Sequence, residues 1–279
     1  MHELKKITEN IYIFTPGEND RPIFGLIQGD SNSIIIDAGN STFHTKLFLN
    51  SIKDIIINNT YAVLTHWHWD HIFGSSELPF PIISNIHTLR QINLIKNMKW
   101  DEKSIISREK NKLEFSFCSI NMLREIEVPT SNTVRIPDII FDESLVINLD
   151  NTRKAIMIYV GGDHSPDSTI VHLPSEKIVF LGDCISPAID MKNIFYTKSR
   201  LIPLLSKLIS LNADYYYESH SMEPILLSEI IFFKEYVLNL INKHGILYDN
   251  LNREHFPDKH QNKFINNILK CWDMFIEYN

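Results

Sequence analysis

Three histidines and one aspartate stand within six consecutive residues, directly behind an apolar run. The segment "VLTHWHWDHIFG", residues 63–74, contains His66, His68, Asp70 and His71. Imidazole and carboxylate groups are ligands that zinc, iron and manganese share. Histidines at positions i and i+2 cannot share one face of a helix. At the end of a strand, however, the first two histidines can face one point, and Asp70 with His71 a neighbouring point. The spacing therefore predicts two adjacent metal ions rather than one.

Two metal ions need more than four ligands, so further donors are expected at other strand ends. Three residues meet this condition: His164 follows "YVGGD", Asp183 ends "IVFLGD" and His220 follows "YYYES". Two ions about 3.5–4 Å apart can share a hydroxide and polarise a carbonyl or phosphoryl oxygen.

Short β-rich runs separated by helices provide the strand ends at which these donors lie. The predicted strands cover residues 11–14, 23–30, 33–39, 62–66, 81–85, 124–130, 144–149, 154–162 and 214–219, with a hairpin over 168–183. A helix is predicted from Phe43 to Ile56, capped by Ser41 or Thr42. Two helices are predicted in a charged insert at about 86–123. Another is expected at 200–211, followed by C-terminal helices at about 225–279, the first of them stopped by Gly245.

Composition limits the classes of partner. The chain has 279 residues, of which 44% are hydrophobic, so it can bury a substantial core. Its net charge of −7 argues against the basic surface that nucleic-acid binding requires. Cys118, Cys184 and Cys271 are an odd, scattered set, which disfavours a disulfide framework and favours a reducing compartment. No apolar run approaches the roughly 18 residues that a membrane helix needs, and no secretory leader is evident. We expect a single cytoplasmic domain over residues 1–279 that binds a small-molecule substrate and neither nucleic acid nor membrane.

The order of these motifs resembles the metallo-β-lactamase-fold superfamily. "THWHWDHIFG" supplies the first motif, "GGDHSPDS" the second, and "FLGD" and "ESH" the last two, while "IIIDAG" resembles the family's earlier strand-end aspartate. The resemblance covers roughly residues 7–222, apart from the insert. It implies an α/β fold: a four-layer αββα sandwich of two mixed β-sheets flanked by helices.

The resemblance also implies a ligand set. One metal would be held by His66, His68 and His164, and a second by Asp70, His71 and His220. Asp183 would bridge the two. The reaction would be hydrolysis by a metal-bridging hydroxide, and Asp70 would be the catalytic residue, because beside that hydroxide it can orient it or take up its proton. The cofactors would be two Zn²⁺ ions per chain, although iron or manganese fits the same donors. Asp37 would fix the ligand loop by hydrogen bonds; the alternative is a plain turn aspartate, since Asp-Ala-Gly-Asn is good turn sequence.

Departures from the family pattern bear on the substrate. The ligand set resembles that of glyoxalase II or a lactonase, whereas the hairpin around Pro166-Asp167 resembles that of true metallo-β-lactamases. Those enzymes place a cysteine where Asp183 stands and usually lack a histidine at the position of His71. The predicted function is a binuclear metal-dependent hydrolase acting on an ester, thioester, lactone or amide bond.

Other functions with similar ligands stay open. They are a phosphodiesterase of the ribonuclease Z type, a β-lactamase, and a non-haem iron oxidoreductase resembling sulfur dioxygenases. The acidic net charge disfavours the phosphodiesterase. The insert at 86–123 is interpreted as a lid or a homodimer surface, or else as an extra pair of packed helices.

Overall fold

The computed structural model describes residues 2–56, 59–125, 134–190, 193–244, 250–256, 262 and 264–269. The strands are β1 (Leu4–Lys6), β2 (Ile11–Phe14), β3 (Phe24–Ile27), β4 (Asn32–Ile36), β5 (Asn59–Val63), β6 (Ile82–Asn85), β7 (Ile139–Phe141), β8 (Ser144–Asn148), β9 (Lys154–Tyr159), β10 (Thr169–Leu173), β11 (Ile178–Gly182), β12 (Ala188–Ile189), β13 (Ile194–Thr197), β14 (Tyr215–Glu218), β15 (Ile225–Leu226) and β16 (Asn250–Asn252). The helices are α1 (Thr42–Ile52), α2 (Trp69–Ile72), α3 (Ile86–Ile95), α4 (Glu102–Lys110), α5 (Ser116–Glu125), α6 (Lys198–Ser210) and α7 (Leu227–His244). Residues 264–269 are also helical.

Two mixed sheets form the centre of the molecule. The first has the order β1-β2-β3-β4-β5-β6-β7, and it is antiparallel from β1 to β4 and parallel from β4 to β7. The second has the order β15-β14-β11-β10-β9-β8, in which only the β11–β14 pair is parallel. A small third sheet joins β12, β13 and β16.

Alternating side chains place the two large sheets face to face. Ile34, Ile36 and Val63 of the first sheet share a buried cluster with Val171 and Phe180 of the second. Residues between them point the other way, because successive side chains of a strand face opposite sides. These strands are buried on both faces, as expected where helices cover the outside of a mixed sheet.

Helices cover both outer faces. Phe48 of α1 and Ile92 of α3 pack with Ile35 on the outside of the first sheet. Leu205 of α6 and Phe233 of α7 belong to the cluster on the outside of the second. The layers therefore run helix, sheet, sheet, helix. This order confirms the predicted four-layer αββα sandwich.

The helical insert differs from its prediction. It contains α3, α4 and α5 rather than two helices. The Asp101 carboxylate accepts the Ser104 N–H at 3.0 Å and so begins α4. Lys112, with φ +56°, adopts a left-handed conformation that ends it. The predicted strand over 124–130 is wrong at its first two residues, which are the end of α5, and its other residues lie outside those described.

Other predicted boundaries shift by a few residues. The hairpin over 168–183 is present as the antiparallel pair β10–β11. Ser41, rather than Thr42, caps α1 by accepting the His44 N–H at 3.1 Å, and α1 ends at Ile52 rather than Ile56. The C-terminal helices begin after β15, and Gly245 lies outside the described residues.

No helix within the described part of the chain combines the length and apolar character needed to cross a bilayer.

Candidate metal centre

The predicted donors lie at one edge of the sandwich. Strands β4 and β5 are parallel, so Asp37 and His66 follow adjacent carboxyl ends in the first sheet. Strands β11 and β14 are also parallel, which places Asp183 beside His220 in the second sheet. His164 lies in the connection from β9 to β10 at the same edge. Open α/β sheets bind their ligands outside such carboxyl ends.

The two sheets approach each other closely at this edge. The Thr169 N–H donates to the carbonyl oxygen of Thr65 at 2.8 Å, which joins the second sheet to the segment that precedes His66. Gly182 has φ +57°, and a Cβ added to it would lie 2.7 Å from the Cβ of Thr65. Only glycine suits both the backbone conformation and the space. The Thr65–Gly182 contact therefore sets the distance between the segments that carry His66 and Asp183.

Three imidazoles form one cluster, which we call the imidazole triad: His66, His68 and His164. The Nδ1 atom of His68 lies 3.1 Å from His66 Nε2 and 2.9 Å from His164 Nε2. Three nitrogen atoms from two sheets thus converge on one point.

Two carboxylates and two imidazoles form a second cluster, the mixed tetrad: Asp70, His71, Asp183 and His220. The Oδ2 atom of Asp70 lies 3.0 Å from His71 Nε2 and 3.3 Å from His220 Nε2. The short helix α2 places Asp70 and His71 here, immediately after His68.

Asp183 belongs to the tetrad and also lies close to the triad. Its Oδ2 atom is 3.3 Å from both Nε2 atoms of the tetrad. The same oxygen is 3.5 Å from His164 Nε2 and 4.0 Å from His66 Nε2 of the triad. The structure thus brings together all seven residues predicted as ligands, with Asp183 in the position expected of a bridge.

Asp37 supports both clusters from outside. Its carboxylate accepts the Thr65 N–H at 2.8 Å and the Thr65 hydroxyl at 2.9 Å. Its other oxygen lies 2.8 Å from His71 Nδ1, which leaves Nε2 of that ring to face the tetrad. The Thr65 hydroxyl is in turn 3.1 Å from His66 Nδ1. Such hydrogen bonds fix the orientation of metal-binding imidazoles.

The loop that carries His164 is tied to β13 and is also stabilised by a hydrogen bond within the loop. The carboxylate of Asp163 accepts the Thr197 N–H at 2.9 Å and the Thr197 hydroxyl at 2.5 Å. Ser165 donates to Asp167 Oδ1 at 2.5 Å on the other side of His164. The residues on both sides of His164 in the sequence are therefore held by hydrogen bonds.

Asp20 was not predicted as a site residue. It lies in the loop between β2 and β3, and its Oδ1 atom is 3.7 Å from His220 Nδ1. Burial and the nearby Asp70 carboxylate raise the pKa of Asp20 to about 7, although the His220 imidazole opposes this shift. The sequence offers little signal, because Asp20 follows Pro, Gly and Asn in a segment typical of a turn.

The two clusters differ in charge. Burial, reinforced by the His164 imidazole, lowers the pKa of His68 to about 3. Burial also lowers the pKa of His66 and His164, so the triad is neutral, the form of histidine that binds metal. Burial disfavours charge on Asp70, but the imidazoles of His71 and His220 outweigh it and hold its pKa well below the usual range. The same balance lowers the pKa of the Asp183 carboxyl.

The residues fit a pair of cations. Donor atoms within each cluster lie within 4.8 Å of one another. His71 Nε2 and Asp183 Oδ1 are buried and have no hydrogen-bond partner of acceptable geometry among the described residues. Buried polar atoms in proteins are nearly always paired, and a bound cation would satisfy both. Nitrogen and carboxylate donors suit zinc, iron and manganese.

Comparison with known proteins decides the family. A family model for the metallo-beta-lactamase superfamily matches residues 24–220, which contain all seven donors. The chain belongs to this superfamily. Metallo-beta-lactamase superfamily proteins are mostly hydrolytic metalloenzymes, and the two clusters of this member are compatible with a dinuclear metal site.

Solved structures share the fold. A metallo-beta-lactamase from Pontibacter korlensis has a TM-score of 0.60 at 17% identity, over 86% of this chain and 100% of that one. The DIM-1 metallo-beta-lactamase has a TM-score of 0.58 at 16% identity, over 85% and 97% of the two chains. The sec-alkylsulfatase Pisa1 from Pseudomonas sp. has a TM-score of 0.59 at 12% identity, over 87% and 44%. At these identities the likeness concerns the fold alone.

One curated protein shows a shorter match. Flagellar hook-associated protein 2 of Borreliella burgdorferi is 29% identical over 120 residues, which are 41% of this chain. The match spans only 17% of that protein's length, so it carries no functional conclusion.

Proposed function

We propose that this chain is a binuclear zinc hydrolase that cleaves an ester, thioester, lactone or amide bond in a small molecule. The observation that supports it best is the convergence of seven donors in two clusters that share one oxygen, Asp183 Oδ2. Membership of a mostly hydrolytic superfamily supports the reaction class.

The residues have distinct roles in this proposal. Two divalent ions held by these donors would lower the pKa of a bound water and polarise the substrate oxygen. The neutral triad and the tetrad would hold one ion each, and Asp183 would hold both. Asp70 lies between two imidazole nitrogens, and its low pKa suits a group that orients the attacking water by accepting a hydrogen bond.

The substrate class follows from the donors and the net charge. A carboxylate at position 183, rather than a cysteine, favours an ester, thioester or lactone over a β-lactam. A net charge of −7 disfavours a polyanionic substrate such as RNA. Because structural relatives include β-lactamases and an alkylsulfatase, a β-lactam and a sulfate ester belong in the substrate panel.

The direct test is elemental analysis of native protein purified without chelator, coupled to a panel of esters, thioesters, lactones, amides, a β-lactam, a phosphodiester and a sulfate ester. We expect close to two equivalents of zinc and turnover of a carboxylic acid derivative. The double variant His66→Ala/His68→Ala should lose the metal of the triad. Its kcat/KM should fall at least about a thousand-fold, since a Lewis acid contributes several kcal/mol to the transition state.

The matched control is His172→Ala, which removes a buried imidazole from β10 outside both clusters. Its metal content should equal that of the unmodified protein. Absence of transition metal from the native protein would contradict the proposal, as would full activity in the double variant. Iron with a visible colour and oxygen consumption would favour the oxidoreductase instead. The single domain over 1–279, the cytoplasmic location, the absence of nucleic-acid and membrane partners and a homodimer through the insert stay predictions.

A further inference from the structure

The loop between β2 and β3 reaches the outer side of His220. Asp20 at its tip is largely buried, with 19% of its side chain exposed, and its Oδ1 atom lies 3.7 Å from His220 Nδ1. This separation exceeds a hydrogen bond but allows a direct electrostatic interaction. The opposite ring nitrogen of His220, Nε2, lies 3.3 Å from both carboxylates of the tetrad. Asp20 therefore faces the side of the ring that points away from the predicted metal.

His71 stands in a similar arrangement. Its Nδ1 atom lies 2.8 Å from the Asp37 carboxylate, and its Nε2 faces the same two oxygens of the tetrad. Asp37 and Asp20 both have left-handed backbones, with φ +65° and +59°. Left-handed conformations are uncommon in residues other than glycine, although aspartate and asparagine adopt them more readily than most. Each imidazole of the tetrad thus has a carboxylate in an unusual backbone conformation behind it.

Asp20 is held in place by both of its neighbours. Asn19 Nδ2 donates to Glu125 Oε1 at 2.8 Å, and Arg21 Nε and Nη2 donate to the two oxygens of Glu125 at 3.0 Å each. The Ser41 hydroxyl donates to the same carboxylate at 2.8 Å. Only 1% of the Glu125 side chain is exposed. Glu125, the last residue of the insert helix α5, therefore fixes the loop on either side of Asp20.

The loop is also tied to the segment that carries His220. The Ile23 N–H donates to the carbonyl oxygen of Ser219 at 2.7 Å. Asn40 Nδ2 donates to the carbonyl oxygen of Asn19 at 2.8 Å. The backbone around Asp20 and the backbone before His220 consequently keep a fixed relation.

We propose that Asp20 is a positioning residue that orients the His220 imidazole toward the second metal, and that Glu125 holds Asp20 in that place. The inference rests on the proposed dinuclear site. It assigns a metal-related role to the loop at 15–23 and to the end of the insert. Loss of a carboxylate behind a metal-binding imidazole costs about 10–100-fold in metal affinity.

The test is titration of the full-length, metal-depleted protein with Co²⁺, following visible absorption and competition with a chelator of known affinity. Asp20→Asn keeps the side-chain shape and tolerates the left-handed backbone, so it replaces only the ionisable carboxyl group. We call the Co²⁺ equivalent that His220→Ala loses the second equivalent, whatever the order of binding. In Asp20→Asn we expect this equivalent to bind about 10–100-fold more weakly, with an altered absorption band, while the other is unchanged. Glu125→Gln should weaken the second equivalent to a smaller extent.

Two further variants complete the experiment. Glu18→Gln removes an exposed carboxylate from the same loop and should leave both equivalents unchanged. His220→Ala removes the predicted ligand itself and should abolish the second equivalent. Thermal unfolding of the metal-depleted variants identifies any general loss of stability. Such a loss would weaken the binding of both Co²⁺ equivalents rather than one.

The outcomes separate this proposal from the proposed function. If unmodified protein binds two Co²⁺ ions and both Asp20→Asn and Glu125→Gln bind the second as tightly, the positioning role is overturned and the dinuclear site stands. Equal weakening of both equivalents in Asp20→Asn would also overturn it. If unmodified protein binds fewer than two ions, both proposals fail together.

Discussion

The imidazole triad and the mixed tetrad lie side by side, yet they are built in different ways. The triad consists of three neutral rings whose pKa values are lowered chiefly by burial. The tetrad consists of two carboxylates and two imidazoles that stabilise one another's charges. Asp37 and Asp20 face the outer sides of the tetrad imidazoles. The triad is therefore supported indirectly, through Thr65 and through the loop of His164, whereas each tetrad imidazole has a carboxylate directly behind it.

The largest effect is expected at the residue that touches both clusters. Asp183→Asn keeps the side-chain size and removes the charge from the shared oxygen. We expect loss of at least one metal equivalent and a fall in kcat/KM of at least about a thousand-fold, because the Lewis-acid contribution of several kcal/mol is lost. Elemental analysis and steady-state kinetics measure both. Asp214→Asn, an exposed aspartate paired with Lys177, is the control. If Asp183→Asn still bound two full equivalents of metal, Asp183 would not be the residue that bridges the two ions.

A second prediction concerns the distance between the clusters. Gly182→Ala would place a Cβ against Thr65 and force a left-handed alanine, so we expect a loss of about 2–4 kcal/mol in the free energy of unfolding. Gly161→Ala is matched to it, with φ +61° but a nearest atom at 3.3 Å, and should lose chiefly the conformational part, about 1–2 kcal/mol. Denaturant unfolding of the metal-depleted proteins gives both values. Equal losses would show that the Thr65–Gly182 contact is not tight.

The third prediction separates the supports of the two clusters. Asp37→Asn should weaken both metal equivalents, the tetrad by about 10–100-fold, because Asp37 contacts His71 directly and His66 through Thr65. Thr65→Val removes only the hydroxyl link and should weaken the triad alone, by a smaller factor. Chelator competition measures each equivalent. If Asp37→Asn weakened metal binding at the tetrad alone, the hydrogen bonds through Thr65 would not orient the His66 imidazole.

The sequence alone predicts much of the site because its chemistry is concentrated. His66, His68, Asp70 and His71 are close in the chain, so their convergence requires only a strand that ends in a turn. The distant donors are predictable for another reason. His164, Asp183 and His220 each follow a β-rich run, and parallel strand ends meet at one edge.

What the sequence does not show depends on contacts between distant segments. Asp20 and His220 are two hundred residues apart in the chain, and a turn residue such as Asp20 carries no spacing signal. The sequence places Glu125 in a predicted strand, whereas Glu125 ends α5 and is buried by partners from two other segments. The sequence does not predict the third insert helix, because the aspartate cap and the left-handed lysine that delimit α4 lie within a continuous charged segment. Such features are decided by tertiary packing rather than by local propensity.

Because of the hydrogen bonds between Asp163 and Thr197, the geometry of the site depends on a part of the fold that lies outside its donors. Thr197 ends β13, and β13 pairs with β16 at residues 250–252. The position of His164 therefore depends on a three-stranded sheet that supplies no ligand. A truncation that removes β16 would leave Thr197 less well anchored. The resulting displacement of the His164 imidazole would disturb the triad, while the tetrad would keep its geometry.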